Sequence, residues 1–314
     1  MHRFQRKLRP LILPLLLAAL CLHTRGDRAP VNISATAPFP AAMPRIVLWA
    51  WEEPENLRAA PPASVGVAYL AETLVLRNAD DAVPALAIRF RHQPLAVAPG
   101  AAVMAVVRVI AEADFQDSAE LRRQTVLALA EAAHQPGLRA LQIDFDATRS
   151  QRPFYAAVLT ALRPQMRAGM PLSITALLSW CAAAPGPGDW MANLPIDEAV
   201  PMFFRLGGNS RPGDNKSGYP LRDTHCRGSV GISTDESWPT LDPRQRVYLF
   251  APRPWTPLQL AAVQNLSNGR RASALQPNPA EFNLRVNDTG LHAPSNVDAT
   301  DAGKRNVDER EDLP

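Results

Sequence analysis

The 314-residue chain carries none of the short motifs that announce the commonest nucleotide- and acyl-handling enzymes. It has no G-x-S-x-G, no Walker-type loop and no G-x-G-x-x-G after a strand, so acyl-hydrolase, NTPase and dinucleotide chemistry have no anchor. Six histidines stand apart at His2, His23, His92, His134, His225 and His292 without an H-x-H or H-E-x-x-H pair. No metal site is expected from that set, and no cofactor is implied. Excess charge is scarce as well: the net +3 owes much to Arg3, Arg6, Lys7 and Arg9, and the remainder is nearly neutral. A nucleic-acid surface needs a basic stripe in the folded part, and its absence argues against such a partner. Cysteine is limited to three residues, Cys21, Cys181 and Cys226. If Cys21 is removed or lipidated, the other two form a disulfide or stay as thiols, and sequence alone leaves both open.

What the chain does have is a 46% apolar composition, enough for a sizeable core, and 31 prolines, which imply much irregular connection. Residues 1–26 have the organisation of an export signal, with a basic start, an apolar run from Leu11 to Leu22 and polar residues after it. The run is about a dozen residues, short of the roughly 20 that span a bilayer. Export to the periplasm or beyond is therefore expected, with any membrane contact confined to this segment. Lipid anchoring through Cys21 is disfavoured by Leu20, where a small residue belongs.

From Arg45 onward, short runs rich in Val, Ile and Leu recur in the manner of βα units. The expected strands are 46–51, 65–70, 103–110, 140–145, 172–178, 199–204, 229–233 and 247–250. A helix over Ser118 to Ala133, opened by Ser118 and closed by Pro136-Gly137, separates the third strand from the fourth. Others are expected from Pro153 to about Ala168 and from Pro257 to Gln264. Residues 71–100 read instead as strand, turn at Asn78 to Asp81, and strand from Ala85 to Arg91. The fold class expected is α/β, a (β/α)8 TIM-type barrel over residues 44–270 in which one crossover helix is replaced by a β-hairpin. The segment 207–228 is a long loop over one end, and 277–314 loses periodicity and reads as a polar disordered tail.

In such barrels the carboxyl ends of the strands build the active site. That rule collects Trp51, Glu52, Glu53, Arg108, Asp144, Asp146, Trp180, Arg205, Asp235, Glu236, Trp238 and Trp255. Period-2 alternation in Leu141-Gln142-Ile143-Asp144-Phe145-Asp146 puts Gln142, Asp144 and Asp146 on one face. Paired carboxylates repel, which raises the pKa of one, as a general acid in glycoside hydrolysis requires. The structural alternative has Asp146 capping the next loop and Asp144 held by Arg108 or Arg205. Indole faces suit the apolar face of a pyranose, and guanidiniums inside a barrel mouth need a carboxylate of the protein or of an acidic substrate.

The segments Trp49-Ala50-Trp51-Glu52, Gln142-Ile143-Asp144-Phe145-Asp146 and Ile232-Ser233-Thr234-Asp235-Glu236 together resemble an uncharacterised family of secreted bacterial proteins, a domain of unknown function, over roughly residues 44–265. The resemblance implies a glycosidase-like barrel and export, and assigns no activity. A weaker similarity is to family 18 chitinase-like glycosidases, whose fourth strand ends in D-x-x-D-x-D-x-E. Asp144 and Asp146 match the inner aspartates, whereas Leu141 stands at the first Asp and Thr148 at the general-acid Glu. The expectation is an exported glycoside hydrolase acting on an envelope or extracellular polysaccharide. Its catalytic candidates are Asp144, Asp146, Glu52 and Glu236, and its substrate-binding candidates are Trp51, Arg108, Trp180, Arg205 and Asp235. The alternative is a non-catalytic glycan-binding or structural relative with the same rim.

Overall fold

The structure, a computed structural model, describes residues 42–78, 85–182, 189–204, 220–268 and 275. Residues 1–26, expected to be an export signal, the expected tail 277–314, most of the expected loop 207–228 and Arg205 lie outside the described residues. In chain order the strands are β1 (Ile46–Ala50), β2 (Glu55–Leu57), β3 (Val65–Leu76), β4 (Leu86–Phe90), β5 (Leu95–Val97), β6 (Val103–Ala111), β7 (Leu138–Asp144), β8 (Leu172–Ala176), β9 (Glu198–Pro201), β10 (Ser229–Ser233) and β11 (Arg246–Phe250). The α-helices are α1 (Ala119–His134), α2 (Arg152–Leu162), α3 (Leu178–Ala182) and α4 (Pro257–Ser267).

Eight of these strands run parallel in the order β10-β11-β1-β3-β6-β7-β8-β9. The remaining seam is narrowed by a single bridge, Met202 to Gly231, and by Phe203 N–H donating to the Gly231 carbonyl at 2.8 Å. The result is a nearly closed, barrel-like parallel sheet. All eight expected strands are present, because each is an apolar run covered on both faces, as parallel strands require. β1, for example, is buried at all five positions.

Helices are fewer than strict alternation demands. Among the described residues, none fills the β1–β3 crossover, where Pro54, Pro61 and Pro62 stand, or the β10–β11 crossover, which holds Pro239 and Pro243. Proline lacks the N–H and clashes with the preceding turn, so these connections stay irregular. The expected hairpin is there: β4 runs antiparallel to the outer half of β3, with Glu72 opposite Phe90 and Leu76 opposite Leu86. Ser118 caps α1 by accepting from Leu121 N–H at 3.1 Å, as its position foretold. Two boundaries differ from expectation. α2 ends at Leu162 and tightens into a 3₁₀ turn over Arg163–Gln165, because Pro164 withdraws a helical donor. The fifth strand stops at Ala176, and Leu178, the last residue of its expected extent, begins α3.

Apolar side chains form an inner cluster within the barrel, including Val47, Trp49, Met104, Val106 and Tyr248. Two outer clusters pack beneath α1 and α2 and beneath α4. Gly231 belongs to this packing, since a Cβ there would come within 2.9 Å of Trp49 Cη2. The lower barrel also encloses a polar chain. Trp49 Nε1 donates to Gln142 Oε1 at 2.8 Å, Gln142 Nε2 to Ser173 Oγ at 3.1 Å, and Ser173 Oγ to Glu198 Oε2 at 3.0 Å. Tyr248 Oη donates to the same Glu198 oxygen at 2.7 Å, and Arg246 Nη1 to Oε1 at 2.9 Å. Gln142, Ser173, Glu198 and Tyr248 are essentially sealed from solvent. Burial pushes the Glu198 carboxyl up, and Arg246, Tyr248 and Ser173 pull it back.

Cys181 and Cys226 are joined in a disulfide with a Cα separation of 5.8 Å, tying α3 to the segment before β10. Of the two states left open by the sequence, the bridge is the one the fold builds.

Candidate functional site

The carboxyl ends of the barrel strands form a charged mouth above the polar chain. Strand pairing places Arg108 of β6 directly beside Asp144 of β7. Thr175 of β8 donates its hydroxyl to Asp144 Oδ1 at 2.7 Å. Asp144 Oδ2 lies 4.0 Å from Arg108 Nε, and Glu52, just past β1, places Oε1 3.7 Å from Arg108 Nη1. Both separations exceed a hydrogen bond, so the two carboxylates flank the guanidinium without closing on it. The Arg108 guanidinium carbon also sits 5.9 Å from the centroid of the Trp51 ring, a cation–π arrangement that steadies both.

Asp146 lies two residues beyond the end of β7 and is half-buried, while Phe145 between the aspartates is buried in the outer core. Both aspartates are close enough to act on Tyr155 of α2, whose hydroxyl is pushed well up, first by burial and then by those charges. Across the barrel, Asp235 is exposed and accepts a short hydrogen bond from Ser233 Oγ. Glu236 is half-buried in the turn that follows β10.

Four candidate tryptophans do not make one rim. Trp51 is at the mouth, and Trp238 is half-buried with Nε1 donating to the Ser233 carbonyl at 2.7 Å. Trp255 is buried and donates to the Trp49 carbonyl at 3.1 Å. Trp180 is only 3% exposed and packs edge-on against Trp190 at 4.9 Å in the outer core. The substrate-binding expectation for Trp180 is thus corrected: a strand continued to Leu178 would have aimed it at the rim, but the turn into α3 carries it outside the barrel.

Sequence reasoning missed Thr175, which anchors Asp144, and the stacked pair Phe204 and Phe250, whose ring centroids lie 5.5 Å apart. It also missed the polar chain below. Glu198 and Arg246 each open an otherwise apolar strand, and a charge in that setting was the available signal. Among the described residues, no three His, Cys, Asp or Glu side chains gather to hold a metal ion.

A second unusual carboxyl lies outside the mouth. The register slips between Leu70 and Glu72, and Glu72 is left 4% exposed, its Oε1 without a hydrogen-bond partner among the described residues. Burial, then the charge of Glu131 on α1, push it up to about 7 from an ordinary value of 4.5. Its folded pKa exceeds its unfolded one, so the native state holds the proton longer. Stability contributed by the neutral carboxyl is fully present below pH 4.5 and is lost as pH rises to about 7. Glu72→Gln is expected to remove that loss and to exceed the wild type by about 2 kcal/mol at pH 8, against near equality at pH 4. That figure is set below the ~3 kcal/mol of the full shift to allow for solvent screening and local relaxation around the ionised carboxyl. Urea unfolding at the two pH values measures it, and an equal difference at both would contradict the assignment.

The mouth and sheet define a barrel-like parallel sheet whose carboxyl end sets an arginine between two carboxylates. Residues 99–189 match the model of a family described as a domain of unknown function, DUF3142. This stretch runs from before β6 to beyond α3 and so includes Arg108, Asp144, Asp146 and Thr175. The match is consistent with the resemblance to an uncharacterised family, over a shorter span than residues 44–265. No curated protein matches the chain.

Proposed function

We propose that the protein is an exported glycoside hydrolase whose helix-poor (β/α)8-type barrel admits an envelope or extracellular polysaccharide at its mouth. The observation that carries this reading is the placement of Glu52 and Asp144 on either side of Arg108, over Trp51. Glycosidases set two carboxylates ~5 Å apart for retention or ~6.5–9.5 Å apart for inversion, and the two here each lie within 4.0 Å of one guanidinium. Trp51 offers an apolar face to a sugar ring, and Arg108 retains hydrogen-bonding capacity for its hydroxyl or carboxylate oxygens.

In this reading Asp144, oriented by the Thr175 hydroxyl and set beside Arg108, acts as the anion that attacks the anomeric carbon or directs water to it. Glu52 or Glu236 supplies the proton to the departing oxygen, and Asp146 orients the sugar or shares in catalysis. Asp235 contributes to substrate binding, and Arg205, outside the described residues, keeps its expected place among the binding residues. Export is supported by the signal-type residues 1–26 and by the Cys181–Cys226 bridge, which persists in oxidising compartments.

A non-catalytic glycan-binding role has its own support. Thr148, at the position of the chitinase-type general acid, is exposed and serves the turn before α2: its N–H donates to Gln151 Oε1 at 2.9 Å and its hydroxyl pairs with Ser150. Reducing-end release by the purified protein from bacterial polysaccharides and chitin oligomers separates the readings. Release supports the hydrolase, binding without release supports the glycan-binding relative, and neither result on the whole panel would remove the carbohydrate reading.

A further inference from the structure

β4 stands off the barrel ring and, among the described residues, pairs with β3 alone, so its far edge is open. The pairing fixes which backbone groups face that edge. Arg77 N–H donates to the Ala85 carbonyl and Arg91 N–H to the Ala71 carbonyl, so the odd-numbered residues here bond to β3. The N–H and C=O groups of Leu86, Ile88 and Phe90 therefore point away from it. Their side chains also share one face, on which Leu86 and Ile88 stand opposite Leu76 and Leu74 of the outer cluster beneath α1. Leu86 packs against that cluster, but Ile88 is 40% exposed and Phe90 59%. An apolar edge strand of this kind pairs with any strand of matching pattern unless it is covered.

The chain supplies a matching strand. Beyond Leu275, Glu281-Phe282-Asn283-Leu284-Arg285-Val286-Asn287 alternates strictly, an exception to the tail's loss of periodicity, and Asp288-Thr289-Gly290 follows as a turn signal. Charge and connection select its direction. An antiparallel run with Phe282 opposite Phe90 sets Leu284 beside Ile88, Val286 beside Leu86, Glu281 beside Arg91 and Arg285 beside Ala87. A parallel run with Leu284 beside Ile88 sets Arg285 beside Arg89, and like charges directly opposite weaken a ladder. Leu275 is buried in the cluster against which Leu95 and Val97 of β5 pack, and β5 follows closely on the Phe90 end of β4. The chain thus approaches β4 from that end, as the antiparallel run requires. Residues 276–280, which Pro277 and Pro279 bias toward an extended chain, give a reach of about 20 Å.

We propose that residues 281–287 add to the open edge of β4 as an antiparallel strand, so that the chain's own tail covers Ile88 and Phe90. This strap gives the outward amides of β4 their partners and extends the apolar row of Leu86, Ile88 and Phe90 by Phe282, Leu284 and Val286. It is independent of the chemistry at the mouth.

Hydrogen exchange of the full chain, read by NMR at the β4 amides, tests it. Ile88 and Phe90 are expected to exchange at least about tenfold faster in Leu284→Asp than in the wild type, with a smaller change at Ala87 and Arg89, which bond to β3. Glu281→Lys, set against Arg91, should act in the same direction by about two- to threefold and carries the test if Leu284→Asp fails to fold. In a Cys21→Ser background, Arg89→Cys/Asn283→Cys is expected to form a disulfide within one chain. That pair holds a non-hydrogen-bonded position, where Cα atoms approach to ~4.5 Å. Equal exchange in the wild type and both tail variants would overturn the strap even if the cysteines join, since a free tail is trapped on chance encounter. A disulfide between two chains, with a dimer by light scattering, would overturn it in favour of a second copy on the same edge.

Discussion

Asp144→Asn is expected to lower glycosidic-bond cleavage by at least about 100-fold while leaving the fold in place, on the size of effect seen when a positioned carboxylate is lost. The substitution keeps the shape of the side chain and an oxygen to accept from Thr175, whose hydroxyl now reaches Oδ1 at 2.7 Å. What it removes is the negative charge beside Arg108 and the electron pair that would meet the anomeric carbon. Stability should change by no more than about 1 kcal/mol, because Asp144 remains in contact with solvent at 15% exposure. Because the effect falls on the transition state, kcat should drop with little change in KM. Asp146→Asn should act in the same direction. A rate within threefold of wild type for both variants would sink the catalytic assignment, and a loss in binding alone would favour the glycan-binding reading.

Arg246→Met is expected to destabilise the protein by about 3–5 kcal/mol, the cost of leaving one member of a buried ion pair alone. Glu198 would keep the Tyr248 and Ser173 hydroxyls at 2.7 and 3.0 Å but lose the cation at 2.9 Å, in a site sealed from water. Arg246 also donates to the Pro44 and Met43 carbonyls at 3.0 and 3.2 Å, so its removal frees backbone acceptors at the start of β1. The double variant Glu198→Gln/Arg246→Met should recover part of the loss, since a neutral amide in that place carries no stranded charge. Denaturant unfolding of the two single variants and the double variant measures the coupling. Single-variant losses below about 1 kcal/mol would show that the pair is not needed to fill the barrel.

The two effects separate function from scaffold along the same strands. Gln142 and Asp144 lie two residues apart on β7 and face the same side of the sheet, yet one is sealed in the polar chain and the other opens at the mouth. A packed lower barrel and a polar carboxyl-end rim are the arrangement that lets chemistry change without loss of the core.

Much of this was legible in the residues themselves. The shared face of Gln142 and Asp144 followed from strand periodicity, although β7 ends before Asp146, and the Ser118 cap, the Pro136-Gly137 stop and the β3–β4 hairpin followed from local turn and capping chemistry. Trp180 was misplaced because a five-residue turn of helix and a strand continuation look alike in Leu177-Leu178-Ser179-Trp180, where every choice is apolar or small. The scarcity of helices was readable in principle from the prolines between β1 and β3 and between β10 and β11.

The number and positions of the barrel strands were determined by the sequence alone, since each strand is a local apolar run and each breaker is a local proline or glycine. Only the tertiary structure decided which charges meet. Arg108 faces Asp144 across a strand register, Glu198 meets Arg246 from 48 residues away, and Cys181 reaches Cys226 across 45. Such pairings depend on how far each strand slides against its neighbour and on the near closure at Met202 and Gly231. Register is set by the summed packing of both faces and not by any one segment, so no local pattern along the chain encodes it.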